Sequence, residues 1–190
     1  LGKLAAAPRE EFELCDSYLE KNESELRTIG AGSPRLGPLI KGKESAGRHH
    51  HYHMLRWAEL ETSELSQAAR DRPKLDEKLE AANKAIGVIE FALGYYPYDR
   101  SLIESREVLG EMAVSIEVTG IVEEAEQAAF QGNVKQARSL YRDALFRLGR
   151  DDQNFGNREA AAERINRELE KLQIMDSEPH KEAARPRKKI

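Results

Sequence analysis

The sequence predicts an all-α protein of stacked antiparallel helical hairpins, and three observations carry that prediction. Apolar residues recur at every third or fourth position along most of the 190 residues, which is the period of an α-helix. No segment shows the alternation of apolar and polar residues that marks a half-buried β-strand. Glycine and proline indicate short turns at residues 71–73, 95–99 and 131–134, which make successive helices antiparallel neighbours. Burial of one face of each helix then supplies the stability.

The first helix is predicted to begin at Pro8, a residue favoured in a first helical turn, and to end at Gly30. Asn22 interrupts its apolar stripe. Residues 31–46 contain repeated glycine and proline, so they predict a linker or irregular loop. The apolar stripe of the first helix consists of Phe12, Cys15, Leu19, Leu26 and Ile29.

The second helix is predicted to begin within residues 45–49 and to end near Arg72, and the third is predicted over residues 73–95. Gly87 lies inside the third helix. A helical glycine costs about 1 kcal/mol relative to alanine, so we expect a close helix neighbour there. The stripes are Tyr52, Leu55, Ala58, Thr62, Leu65 and Ala69 in the second helix and Leu75, Leu79, Ala82, Ile86, Ile89 and Leu93 in the third.

Three more helices are predicted over about residues 99–131, 134–148 and 157–175. β-Branched residues around Gly120 predict a kink or short break in the first of these. The domain organisation that follows is an N-terminal helix (1–30), the linker (31–46), a helical-hairpin domain (47–176) and a disordered basic tail (177–190). The apolar stripes are Leu102, Leu109, Met112, Ile116, Ile121, Val122 and Ala125 in the helix over 99–131, Val134, Ala137, Tyr141, Ala144 and Leu148 in the helix over 134–148, and Ala161, Ile165, Leu169, Leu172 and Met175 in the helix over 157–175.

Two segments resemble the second helix of a tetratricopeptide repeat. They are "AIGVIEFALGYYP", with Ala85, Ile89, Ala92 and Pro97 at the family spacing, and "GNVKQARSLYRDAL", with Gly132, Ala137, Tyr141 and Ala144. Leu109-Gly110 resembles the first-helix signature. Ala85 and Ala137 are 52 residues apart, so the chain resembles an array with lengthened helices. A plain antiparallel bundle is the alternative. The resemblance implies protein–protein recognition in a groove lined by first helices, and no catalysis.

The charge distribution argues against a nucleic-acid-binding body. The net charge is −4, but the tail 177–190 carries five basic and two acidic residues. Residues 1–176 therefore carry 25 basic and 32 acidic residues, a net charge of −7. We expect no nucleic-acid partner, and membrane contact only through this tail or through a segment upstream of Leu1.

The composition fits a soluble, cytoplasmic helical protein. No run of about 18 apolar residues is present, and no signal peptide pattern opens the chain. The single cysteine, Cys15, excludes an internal disulfide, and its place on an apolar stripe favours a small buried side chain over a nucleophile.

A histidine cluster in "GRHHHYHMLRW" is the candidate metal site. His49 and His53 are four residues apart and share a helix face, which is a spacing that supplies two zinc ligands. No third or fourth ligand accompanies them, so a solvated helix end is the favoured interpretation. A pH-sensing role is the second alternative, because clustered imidazoles repel each other when protonated.

The candidate partner-binding residues are Tyr95, Tyr96, Tyr98 and Arg100, which crowd one predicted turn, together with Trp57. Tyrosine, tryptophan and arginine are enriched in binding hot spots. The leading expectation is a non-enzymatic scaffold that binds another protein or itself, with no catalytic residue, no cofactor and no small-molecule substrate. The alternatives are a metal- or pH-responsive helical protein and the soluble domain of a membrane-anchored protein.

Overall fold

The computed structural model describes residues 3–149 and 156–177, and it contains six α-helices and no strand within these ranges. The all-α prediction is confirmed. Residues 178–190 of the predicted tail and residues 150–155 of the predicted loop after the fifth helix lie outside the described residues. The helices are α1 (Lys3–Thr28), α2 (Leu36–Asp71), α3 (Leu75–Tyr95), α4 (Arg100–Phe130), α5 (Val134–Gly149) and α6 (Gly156–Ser177).

The chain divides into two compact units after Ala113. Unit 1 contains α1, α2, α3 and the first part of α4, and unit 2 contains the rest of α4 with α5 and α6. Within unit 1, α2 packs against both α1 and α3, and within unit 2, α5 packs against α6. The predicted boundaries of the linker, 31 and 46, both fall inside unit 1.

Helix α1 begins at Lys3, so the predicted start at Pro8 is wrong. Proline inside a helix removes the hydrogen bond to the carbonyl four residues earlier, and here only about one turn precedes it. Ala5 is fully buried and holds that first turn against the core. The predicted apolar stripe of α1 is confirmed, since Phe12 is buried and the four other members are half-buried.

Helix α2 begins at Leu36, so the irregular loop predicted over 31–46 is wrong from that residue onward. Pro38 lies in the first turn of α2, where the missing amide hydrogen costs nothing. Gly42 leaves room for the Tyr18 side chain of α1, because a Cβ at this position would lie 2.5 Å from Tyr18 Oη. Here glycine serves helix packing and not a turn.

Asn22 interrupts the stripe of α1 because it forms a hydrogen bond between helices. Its side chain is 3% exposed, and Nδ2 donates to the carbonyl oxygen of Leu39 in α2 at 3.2 Å. The same nitrogen donates to Tyr18 Oη at 3.3 Å. Asn22 Oδ1 is buried and has no hydrogen-bond partner among the described residues.

The predicted stripe of α2 is confirmed at Ala58 and Ala69, which are buried, and at Leu55, Thr62 and Leu65, which are half-buried, but it is wrong at Tyr52. Tyr52 is 64% exposed, whereas His50, Met54 and Trp57 are buried. The reason is that α2 contacts a helix on each side, so its buried face is broader than a single stripe. The close neighbour expected at Gly87 is also absent, since a Cβ there would meet no atom within 4 Å.

Unit 2 has its own core, in which small side chains let the helices approach each other. Ala137, Tyr141 and Ala144 of α5 are buried, as predicted. Gly132 has a φ of 80°, a left-handed conformation that suits the glycine of the predicted turn. The short break predicted near Gly120 does not occur, because α4 is continuous from residue 100 to 130. The other core residues are Val118, Ala125, Ala128, Ile165 and Leu172.

Within the described ranges, no helix combines the length and the apolar character that crossing a bilayer requires.

Candidate functional site

A buried histidine on α2 holds the end of α3. His50 is 2% exposed, and its Nδ1 lies 2.6 Å from Tyr96 Oη. The rings of Phe12, Tyr95 and Tyr96 surround the imidazole, with centroids 5.1 to 5.8 Å away. His50 Nε2 is buried without a hydrogen-bond partner, and its nearest carboxylate oxygen, Asp16 Oδ1, is 3.9 Å away.

Burial keeps both members of this hydrogen bond neutral. It lowers the pKa of His50, the Asp16 carboxylate acts in the opposite direction, and His51 lowers it further. Burial also raises the pKa of Tyr96 to about 12, with smaller contributions from Asp16, Cys15 and Tyr95. The contact is therefore a bond between a neutral imidazole and a neutral phenol.

A second histidine of α2, His51, contacts Asp99 in the same turn between α3 and α4. His51 Nε2 lies 2.9 Å from Asp99 Oδ2, and the His51 ring lies 4.2 Å from that of Tyr96. Asp99 Oδ1 accepts hydrogen bonds from the backbone amides of Ser101 at 3.0 Å and Leu102 at 3.2 Å, so Asp99 caps α4. Burial acts to raise the pKa of Asp99, but the bonds from Ser101, His51 and Leu102 outweigh it and hold this pKa below its ordinary value.

The outer side of this turn carries exposed side chains. Tyr98 is 94% exposed, Tyr95 is 43% exposed, and the side chain of Arg100 is 91% exposed. Arg100 Nε donates to Glu104 Oε1 at 2.7 Å, one helical turn further along α4. We call residues 95–100 the tyrosine turn. Four of the five predicted partner-binding residues belong to it, with Tyr96 on its inner side.

Trp57, the fifth predicted residue, lies elsewhere on unit 1. It is 6% exposed and forms the floor of a trough of about 460 Å³, with α1 and α3 as its walls. We call this the indole trough. It is bounded by Arg9 and Phe12 of α1, Trp57 and Glu61 of α2, and Gly87 and Phe91 of α3.

His49 and His53, the predicted metal pair, have rings that stack with centroids 6.5 Å apart. The part of the chain that the structure describes contains no group of three or more histidine, cysteine, aspartate or glutamate side chains placed to hold a metal ion. The histidines that contact a hydrogen-bond partner between α3 and α4 are His50 and His51, which sequence reasoning did not select. The available signal was the spacing of His50, Met54, Trp57 and Glu61, which follows one helical face.

No protein-family model matches the sequence, and no curated protein sequence or solved structure is significantly similar to it. The roles of these residues are therefore argued from their geometry.

Proposed function

We propose that this protein is a non-enzymatic helical scaffold that binds another protein through the tyrosine turn. The observation that supports this most strongly is the contrast between the two sides of the turn. On the inner side, Tyr96 and Asp99 are bonded to consecutive histidines of α2 at 2.6 and 2.9 Å. On the outer side, Tyr98 and Arg100 are almost fully exposed.

This arrangement lowers the conformational cost of binding. A loop that must be ordered on association loses backbone and side-chain entropy, and that loss reduces the affinity. The bonds of Tyr96 and Asp99, together with the cap on α4, hold the backbone of the turn in place before any partner arrives. Tyrosine and arginine offer large contact areas with polar tips, which suits them to hot spots.

The tetratricopeptide-like arrangement is part of the proposal. Ala85 and Ala92 of α3 are fully buried, as are Ala137 and Ala144 of α5. Small residues at these positions permit close helix approach, which is what the repeat pattern requires.

A binding role also fits the state of Cys15. Burial and then the Glu11 carboxylate raise the pKa of this thiol, which disfavours the nucleophilic thiolate.

The test is site-specific photocrosslinking in the native cell. A photoreactive phenylalanine analogue replaces Tyr98 in one variant and Tyr52, which is 64% exposed on α2, in the matched control. We expect a discrete adduct from position 98 that is absent from position 52, and we expect Arg100→Ala to weaken it. Mass spectrometry of the adduct separates a foreign partner from a second copy of the chain.

Two outcomes would contradict the proposal. Equal adduct patterns from positions 98 and 52 would show that the turn is not a preferred contact surface. An adduct that persists unchanged in a variant with both Arg100→Ala and Tyr95→Ala would show that the contact does not depend on the turn. Circular dichroism of each variant establishes that the helical content is retained.

A further inference from the structure

We propose that two copies of this chain associate through one face of α3, which packs antiparallel against the same face of α3 in the second copy. This face, which we call the α3 stripe, consists of Gly87, Phe91, Gly94 and Tyr95. It shares only Tyr95 with the tyrosine turn, so the inference does not rest on the function proposed above. Three observations carry it: exposed aromatic rings, two open glycines and the distribution of charge beside them.

The first observation is that α3 exposes large aromatic side chains. Phe91 is 48% exposed and Tyr95 is 43% exposed, and their ring centroids lie 5.5 Å apart. The packed side of the same helix is a separate set of residues that includes Ala85 and Ile89, both of which are buried. Aromatic rings bury a large apolar area when a second surface covers them. The α3 stripe therefore offers apolar area that only an association can remove from water.

The second observation is a pair of exposed glycines inside the helix. No described atom lies within 4 Å of the position that a Cβ would occupy at Gly87 or at Gly94. Glycine is unfavourable inside a helix, and no close contact within unit 1 requires it at either position. If a two-fold axis passes at Phe91, Tyr95 of one copy meets Gly87 of the other, since each lies four residues from Phe91. The tyrosine ring then enters the open space at the glycine as a knob enters a hole.

The third observation is the charge along the groove between α1 and α3. At the end of the groove that forms the indole trough, Arg9 and Lys84 lie on the two walls. At the other end, the Tyr95 hydroxyl donates to Asp16 Oδ2 at 3.5 Å. Burial raises the pKa of Tyr95, and the nearby carboxylates of Asp16 and Glu20 raise it further. An antiparallel pair brings the basic end of each copy against the acidic end of the other, whereas a parallel pair would bring like ends together.

The present partners of the two cations do not prevent this pairing. Arg9 pairs with Glu13 at 2.8 Å and Lys84 with Glu80 at 2.6 Å, each within its own helix. All four side chains are at least 40% exposed, and exposed pairs of this kind contribute little to stability. A carboxylate of the second copy can therefore join either cation without leaving a buried charge unpaired.

The test is the oligomeric state of the purified full chain, measured by sedimentation velocity over a range of concentrations. We expect a reversible equilibrium between monomer and dimer. Gly87→Gln fills the space that receives Tyr95 and should raise the dissociation constant of the dimer about tenfold, although it improves helix propensity. Gly47→Gln on α2, where a Cβ also meets nothing within 4 Å, is the matched control and should leave the constant unchanged. Circular dichroism establishes that both variants keep their helical content.

A charge swap tests the antiparallel arrangement. Lys84→Glu alone and Glu20→Lys alone each place like charges together twice in a two-fold dimer, so each should raise the dissociation constant about tenfold. The variant that carries both changes again places opposite charges together. Its dissociation constant should return to within about threefold of the unmodified value.

Four outcomes would overturn the proposal. A monomer at every concentration would show that the α3 stripe does not bind a second copy. Equal constants for Gly87→Gln and Gly47→Gln, or a double charge variant that associates no more tightly than the single variants, would exclude the antiparallel contact. Arg100→Ala, outside the α3 stripe, should leave the constant unchanged. A loss as large as that of Gly87→Gln would place the dimer contact at the tyrosine turn instead.

Discussion

His50 Nδ1 and Tyr96 Oη, 46 residues apart in the sequence, meet at 2.6 Å in the interior of unit 1. The bond joins the middle of α2 to Tyr96, the residue that directly follows the last residue of α3. Because His50 is 2% exposed, water cannot readily replace the tyrosine hydroxyl if that group is removed.

The first prediction concerns the stability that this bond supplies. Tyr96→Phe removes the hydroxyl and leaves both imidazole nitrogens of His50 buried without a partner. We expect the free energy of unfolding to fall by about 1–3 kcal/mol, the usual cost of an unsatisfied buried polar group. Urea unfolding followed by Trp57 fluorescence measures this for unit 1. The control Tyr98→Phe, at an exposed position, should change the value by less than about 0.5 kcal/mol. Equal effects of the two variants would contradict the prediction.

The second prediction concerns pH. Burial lowers the pKa of His50 below its ordinary value of 6.5, so the unfolded chain binds a proton at a higher pH than the folded protein does. The free energy of unfolding should therefore fall as the pH drops below 6.5, with a slope of at most about 1.4 kcal/mol per pH unit for one proton. The loss should level off below the lowered pKa. Asp99, whose pKa is also lowered, adds a separate loss below 3.8.

Chemical unfolding at pH values from 8 to 5 checks this dependence. His50→Gln removes the titrating group and should flatten the profile in that range. His49→Gln, at an exposed position on the same helix, should keep the slope of the unmodified protein. If the unmodified protein and His50→Gln have the same slope, His50 does not cause the pH dependence.

The third prediction separates two roles of Asp99. Its Oδ1 caps α4, and its Oδ2 contacts His51. Asn keeps a capping oxygen, so Asp99→Asn should lower the free energy of unfolding only slightly. Asp99→Ala loses the cap as well and should cost about 0.5–2 kcal/mol. The same urea measurement applies. A loss for the asparagine variant as large as that for the alanine variant would place the stabilising effect in the contact with His51 and not in the cap.

The fourth prediction uses two glycines of α2. Alanine in place of Gly47, where a Cβ meets nothing within 4 Å, should raise the free energy of unfolding by about 0.5–1 kcal/mol through helix propensity. Gly42→Ala should show a smaller gain, because Tyr18 Oη, 2.5 Å from the added Cβ, must shift to make room. Adding Tyr18→Phe to Gly42→Ala removes that contact and should recover part of the gain. Equal gains for the two single variants would show that the Tyr18 side chain does not restrict position 42.

The sequence predicted the helices well because their apolar period is long and regular. It predicted four of the six with boundaries near those observed in the described residues, and it failed at the starts of α1 and α2, where proline or glycine lies inside the helix. Gly42 and Pro38 signal a break when neighbouring residues are considered by themselves. Pro38 is tolerated because it lies in the first turn of α2, and the role of Gly42 depends on Tyr18 of α1, which a local pattern does not reveal.

The candidate site was predicted in part for a similar reason. Tyr95, Tyr98 and Arg100 were selected because tyrosine and arginine are common in binding hot spots, and all three side chains are exposed. The partners of Tyr96 and Asp99 lie 46 and 48 residues earlier, on α2, and only the folded chain reveals them. Trp57 was predicted as a partner-binding residue, but Glu61, which joins it in the indole trough and follows it at a helical spacing, was not singled out.

Asn22 favours one alignment of α1 along α2. If α1 moved by one turn, the Asn22 amide would lose its hydrogen bond to the Leu39 carbonyl and would be buried among apolar side chains, so other alignments are disfavoured. Leucine at this position would fit the apolar stripe and would bring the hydrophobic gain of a buried side chain. It would also let the two helices adopt several alignments of similar energy. The helix pair would then be more stable but would no longer have one defined alignment.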